Sequence, residues 1–320
     1  MKRYVSILAA VLVLFVLLTG GAGAQELILY SMCPPRSLDW SSPRGLALGA
    51  IGNQFTFIHR DHKHAIGHVF VELKNGDERE MAGSVPTGDS NSDKNMIFKD
   101  GFCLGILFAD IKGRLETAVD LDPQIPDRYK SGRIAFISFK LSAENYTRVK
   151  TYLSEYRRRG YDRIYNGLNR PREGLGAGCS GFGVSCIEVA GLLHPVWKDV
   201  WAQHVLVPMD LIGGPIGGGK KVFIGKAITR GRWANEKESN RRLDLYDPDL
   251  IYKWVHAAWK KESAKPTGNV RLLQRGKALG LEYDCTRVPT PTEPIFQVAN
   301  PQKLKQDQEK FEALHTLQGK

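Results

Sequence analysis

Gly67-His68-Val69-Phe70-Val71-Glu72-Leu73-Lys74-Asn75-Gly76-Asp77-Glu78-Arg79-Glu80-Met81 reads as a β-hairpin. Val, Phe and Leu crowd its first arm, residue types that suit a pleated, half-buried surface. Asn75-Gly76 follows, a pair that tolerates the positive φ of a tight hairpin turn. Outward from it, residues 27–30, 105–109, 134–141, 204–207 and 222–224 are further apolar runs of strand length. Ser142 is placed to cap a helix running to about Arg159, with Tyr146, Val149, Tyr152, Leu153 and Tyr156 on one face and Gly160 as its stop. A second helix begins at Cys179, after small residues, with Phe182, Cys186, Val189, Ala190 and Leu193 at helical spacing. Strands, then two helices, then strands give an α+β fold on an antiparallel sheet, not an alternating βαβ chain.

Met1-Lys2-Arg3, the apolar run to Leu18 and the small residues ending at Ala22 and Ala24 have the three parts of a secretory signal peptide. The apolar run is shorter than the ~20 residues that span a bilayer. The expected organisation is therefore a signal peptide over 1–24, a catalytic domain over 25–231, and a partly helical C-terminal extension over 232–320. No later segment is apolar enough to cross a membrane, so the mature chain is expected in the periplasm or secreted. The formal charge is +11, with 45 Lys and Arg against 34 Asp and Glu. Such charge suits an anionic partner; export turns the expectation away from nucleic acid and toward anionic envelope polymers. Five cysteines are an odd number, so at least one thiol is free.

A cysteine at a helix start faces unpaired N–H groups and the positive end of the helix dipole, which favour the nucleophilic thiolate. Such a nucleophile needs an imidazole within reach and a third polar group to orient it. His68, on a rigid strand with Gly67 leaving room beside it, is the candidate base. Cys186, two turns along the same helix, reads as core.

His68 through Gly76 resembles the histidine strand and turn of NlpC/P60-type papain-like cysteine peptidases, and Cys179-Ser180-Gly181-Phe182 resembles their nucleophile motif. The histidine precedes the cysteine, as in the circularly permuted branch that includes lecithin:retinol acyltransferase-like and YiiX-like proteins. The resemblance covers roughly residues 65–193. It implies a permuted papain-like fold, with the antiparallel sheet packed on the nucleophile-bearing helix. It also implies hydrolysis of amide or ester bonds through a thioester. Cell-wall peptides are the expected substrates, and lipid acyl esters the alternative. The family's third polar residue falls at the spacing of Glu80. A three-residue loop would put Glu80 on the face of His68 and a two-residue turn on the other face, since side chains alternate. Glu72, on His68's own face, is the fallback. Gly178 stands where the family usually has Asp or Asn.

His59, His62, His64 and His68 cluster, but their spacings match no rigid zinc motif. Gly214-Pro215-Ile216-Gly217-Gly218-Gly219-Lys220 is like a phosphate loop, yet Lys221 replaces the Ser or Thr, and no helix is expected after it. Neither a metal nor a cofactor is expected. The competing class is a non-catalytic basic module that binds envelope polymers, its cysteines purely structural.

Overall fold

The computed structural model describes residues 25–54, 64–87, 92–168 and 170–297. The expected signal peptide, His59, His62 and the charged segment 302–318 lie outside the described residues. The strands are β1 (Gln25–Met32), β2 (His68–Asn75), β3 (Glu78–Pro86), β4 (Ile111–Glu116), β5 (Ile134–Lys140), β6 (Ile164–Tyr165), β7 (Ala202–Pro208), β8 (Asn240–Tyr246), β9 (Arg271–Arg275) and β10 (Ala278–Asp284). The helices are α1 (Pro43–Gln54), α2 (Ser92–Phe98), α3 (Ala118–Leu121), α4 (Ile125–Ser131), α5 (Ala143–Arg158), α6 (Cys179–Val189), α7 (Pro195–Val200), α8 (Ile224–Thr229) and α9 (Pro248–Ala264). An eight-stranded sheet in the order β6-β4-β3-β2-β1-β5-β10-β9 carries the fold, with β7 and β8 forming a separate ribbon. Its neighbours are antiparallel except β10, which runs parallel to β5. The α+β class holds, with a large, mostly antiparallel sheet.

The central strands are apolar on both faces because both faces are covered. Leu27, Leu29, Val69, Val71 and Leu73 face α5, α6 and α9, through Tyr152, Tyr156, Phe182, Ile187 and Val255. Ile28, Tyr30, Met32 and Phe70 face the other way, onto Leu121 and Ile125 of α3 and α4. Helix α5 forms as its spacing predicts: Ser142 accepts from the Asn145 N–H at its start, and Gly160 follows its end with φ +71°. Gly183 sits where α6 meets β2. A Cβ there would lie 2.6 Å from Val69 Cγ1 and 2.9 Å from Leu29 Cδ1, so only glycine lets the helix lie this close.

Several expectations are corrected. The hairpin turn is Gly76-Asp77, one residue further than Asn75-Gly76, and Asn75 pairs with Glu78. Gly76 takes the positive φ, +60°. Residues 105–108 belong to a 3-10 turn, Leu104–Phe108, which Ala109 caps, and form no strand. Residues 222–224 lead into α8 instead of forming a strand. The boundary at 231/232 separates no structural unit, since β8 pairs with β7 and β10 completes the main sheet beside β5. Beyond β10, the chain returns over α5 and α6: Asn145 donates to Val288 O, and Phe296 packs on Tyr152 and Tyr161. Among the described residues, no helix is long and apolar enough to cross a membrane.

Candidate active site

His68 is the first residue of β2, and its side chain is buried. The turn before it brings Gly67 N–H back to His64 O at 3.0 Å. Gly67 has φ +84°, and a Cβ there would lie 2.8 Å from Pro248 Cβ, so both conformation and space demand glycine. His68 Nε2 lies 2.7 Å from Oε2 of Glu116, the last residue of β4. Pairing of Gly83 with Glu116 carries that carboxylate to the imidazole. Gly83 also makes the space, because a Cβ on it would sit 3.0 Å from both His68 Nε2 and Glu116 Oε2. Burial and the positive charge of Arg128 push the His68 imidazole down to about 3, toward its neutral form. With Glu116 as a carboxylate, which only accepts, neutral His68 carries its proton on Nε2, donates it to Glu116 and keeps a lone pair on Nδ1.

The His64 ring stacks on that of His68, centroids 4.1 Å apart and planes 3° from parallel. His64 Nε2 is 3.0 Å from Gln124 Oε1. The Gln124 amide is oriented by its own Nε2, which donates to Asp120 O at 2.8 Å. Its oxygen therefore faces His64, and His64 is the donor. Burial and the neighbouring His68 lower the proton affinity of His64.

Cys179 opens α6, with Gly178 as N-cap in extended geometry. Gly178 N–H donates to Asn166 O at 2.7 Å, and Asn166 is itself held by Phe108 O and Asp110. The Asn166 loop thus fixes the approach to the helix. Cys179 is buried, 6% exposed as a residue. Burial raises its pKa, partly offset by donors at Sγ: the Val69 N–H, the Ser180 hydroxyl and N–H, and the Tyr165 hydroxyl. The expected low thiol pKa is thereby corrected. The dipole of a helix end is worth ~0.3–1 kcal/mol at an exposed position, and here desolvation outweighs it. The amide that reaches Sγ is that of Val69, directly after His68, but α6 packs on the Val69 face of the sheet while the His68 ring lies with Phe70 on the other, and no hydrogen bond joins Sγ to the imidazole.

Glu80 is not beside His68. The two-residue turn places Glu80 opposite Leu73, on the face of Val69 and Val71, where it pairs with Arg157 of α5. Glu72 is on the face of His68, but Tyr30 and Arg79 occupy its two oxygens at 2.7 and 2.8 Å. Glu116 takes the position expected of Glu80. Its strand, Ile-Lys-Gly-Arg-Leu-Glu, has a glycine and two cations, so its apolar signal is faint. Cys186 is buried inside α6 with its thiol pushed far up by desolvation, as a core residue should be. All five cysteines are free.

Ligand atoms of His64, His68 and Glu116 lie within 4.8 Å of one another. A shared cation needs imidazole lone pairs that converge. Those of parallel rings do not, and both Nε2 atoms already face oxygen acceptors. The loop over residues 214–220 closes on itself, Gly214 N–H to Lys220 O at 2.9 Å, and leads to the six-residue helix α8 after a gap. Comparison with protein-family models, curated proteins and solved structures finds no match for this chain.

Proposed function

We propose that the chain is an exported cysteine hydrolase of permuted papain-like, NlpC/P60-type fold that cleaves amide bonds in cell-wall peptides. Cys179 is the nucleophile, His68 the base and then the acid, and Glu116 the group that orients His68. The observation that carries this reading is the 2.7 Å contact from His68 Nε2 to Glu116, which leaves Nδ1 as the free lone pair of a buried, neutral imidazole. A neutral imidazole is the form that accepts a proton, and burial makes this one a weaker base than the near-neutral pKa at which general bases work best.

Sγ attacks the substrate carbonyl carbon while His68 Nδ1 takes the thiol proton. The carbonyl π pair moves onto oxygen, where the first-turn amide of α6 at Cys179 donates to it. The intermediate collapses, the C–N bond breaks, and His68 returns the proton to the leaving nitrogen. Water then adds to the thioester with His68 again as base, the C–S bond breaks, and the proton goes back to Sγ. Because the resting thiol is raised and the imidazole lowered, the pair rests neutral, and ionisation accompanies attack.

The test is mass spectrometry after mixing with activated acyl donors, one set built on short cell-wall peptides and one on fatty acyl esters. A thioester adduct on Cys179 from the peptide set, absent in Cys179→Ser, supports the reading. An adduct from the acyl esters alone moves the substrate to lipid. Labelling confined to Cys33 or Cys285 overturns the enzyme reading. A second reading, a basic module binding anionic envelope polymer, draws on a recess of about 390 Å³ on the far side of α6, lined by Arg170, Gly181, Glu188 and Lys198. Polymer binding that survives Cys179→Ser but fails in Arg170→Ala with Lys198→Ala would favour it.

A further inference from the structure

We propose that His64 is a positioning residue for His68: its ring covers one face of the His68 imidazole, keeps water from the His68–Glu116 pair and fixes the plane in which His68 presents Nδ1. The stack is close to parallel at 4.1 Å. Its outer ring cannot turn freely, because His64 Nε2 is tied to Gln124 at 3.0 Å and Gln124 to Asp120 O at 2.8 Å. A chain thus runs from the Asp120 carbonyl in α3 through the Gln124 and His64 side chains to the His68 imidazole. The other neighbours of His68 are Glu116 from β4, Arg128 from α4, Phe70 from β2 and the bare Cα of Gly83 from β3. None of them covers the ring face as His64 does.

A histidine suits this place better than an apolar ring would. Its flat face packs like an aromatic, and its edge N–H supplies the hydrogen bond that sets the ring plane. It serves only while neutral, since two stacked imidazolium ions would repel. Burial, Arg128 and the neighbouring His68 all favour that neutral form.

This deepens the reading of His68 as the base, yet its test makes no use of Cys179. The full chain, labelled with ¹³C and ¹⁵N in histidine, is titrated by NMR as wild type, His64→Phe, His64→Ala and Gln124→Leu. In the wild type, His68 stays neutral with its proton on Nε2 at every pH above about 5. His64→Phe keeps the stack but loses the tie to Gln124, so it shifts His68 no more than Gln124→Leu does. His64→Ala admits water, and the His68 midpoint rises by more than one unit, about a tenfold gain in proton affinity, with a mixture of tautomers. Gln124→Leu, which leaves His64 in place but untied, moves the tautomer ratio in the same direction and by less. An unchanged His68 in both His64→Ala and Gln124→Leu overturns the proposal, as does a shift in His64→Phe equal to that in His64→Ala. If the stack behaves as described while Cys179 reactivity ignores His68, the enzyme reading fails alone.

Discussion

Gly83→Ala tests the packing that lets histidine and carboxylate meet. The added Cβ would lie 2.9 Å from Phe70 Cβ, 3.0 Å from Glu116 Oε2 and 3.0 Å from His68 Nε2. Phe70 Cβ is fixed to the backbone of β2 and cannot give. The two polar atoms are joined at 2.7 Å and can clear the methyl only by separating. Forcing one methyl into a filled site costs ~1–3 kcal/mol. Taking about 2 kcal/mol, a domain of this size should melt about 4–8 °C lower. The control is Gly225→Ala in α8, where an added Cβ meets nothing within 4 Å, and it should melt as the wild type does. Thermal unfolding followed by circular dichroism reads the first effect. Alkylation of Cys179, well below the melting point, reads the second and should be slower in Gly83→Ala. A variant that melts with the wild type and labels at the same rate would show that the pair does not depend on the space at Gly83.

Acid should destabilise the chain in a defined window. His64 and His68 have depressed native pKa values, and His256 is lowered too by burial. Near the unfolded value of ~6.5 and below it, the unfolded chain binds more protons, so stability is complete above that pH and falls beneath it. At pH 5, His68 alone removes about 2 kcal/mol. A urea midpoint equal at pH 5 and pH 7.5 would refute this; the paired carboxylates Asp120 and Glu155, held near 2, contribute only at lower pH. Glu80→Gln should leave Cys179 reactivity unchanged and cost at most ~1 kcal/mol, as a partly exposed ion pair; slowed labelling would return Glu80 to the site. Phe182→Ala, removing a fully buried ring between α6 and α5, should cost ~3–5 kcal/mol, read by urea unfolding; a loss under about 1 kcal/mol would mean that α6 is not seated on that core.

The elements with strong periodicity were legible in the sequence. Helix α5 announces itself by Ser142, five apolar positions and Gly160, and β1, β2 and β5 by apolar-rich runs of strand length. The start of α6 was legible because small residues precede a helical stripe. The turn register was not, since Asn75-Gly76 and Gly76-Asp77 differ by one residue and both end a strand acceptably. That single residue still left Glu80 on the wrong face for His68. Glu116 was hidden because β4 gains its place from pairing with β3, not from its own weak pattern. The C-terminal third looked like an appendage because β10 joins β5 in parallel across a long stretch of chain, a contact that local sequence does not encode.

The central claim is that Cys179 and His68 act as a pair steered by Glu116. It is tested most directly by the alkylation rate of Cys179 at pH 7, in a Cys33→Ser, Cys285→Ser background that removes the two half-exposed thiols. General-base assistance is worth ~10²–10⁴-fold in catalysis. His68→Asn should therefore slow labelling about tenfold or more, and Glu116→Gln by a smaller factor in the same direction. Equal rates in wild type and His68→Asn would contradict the account.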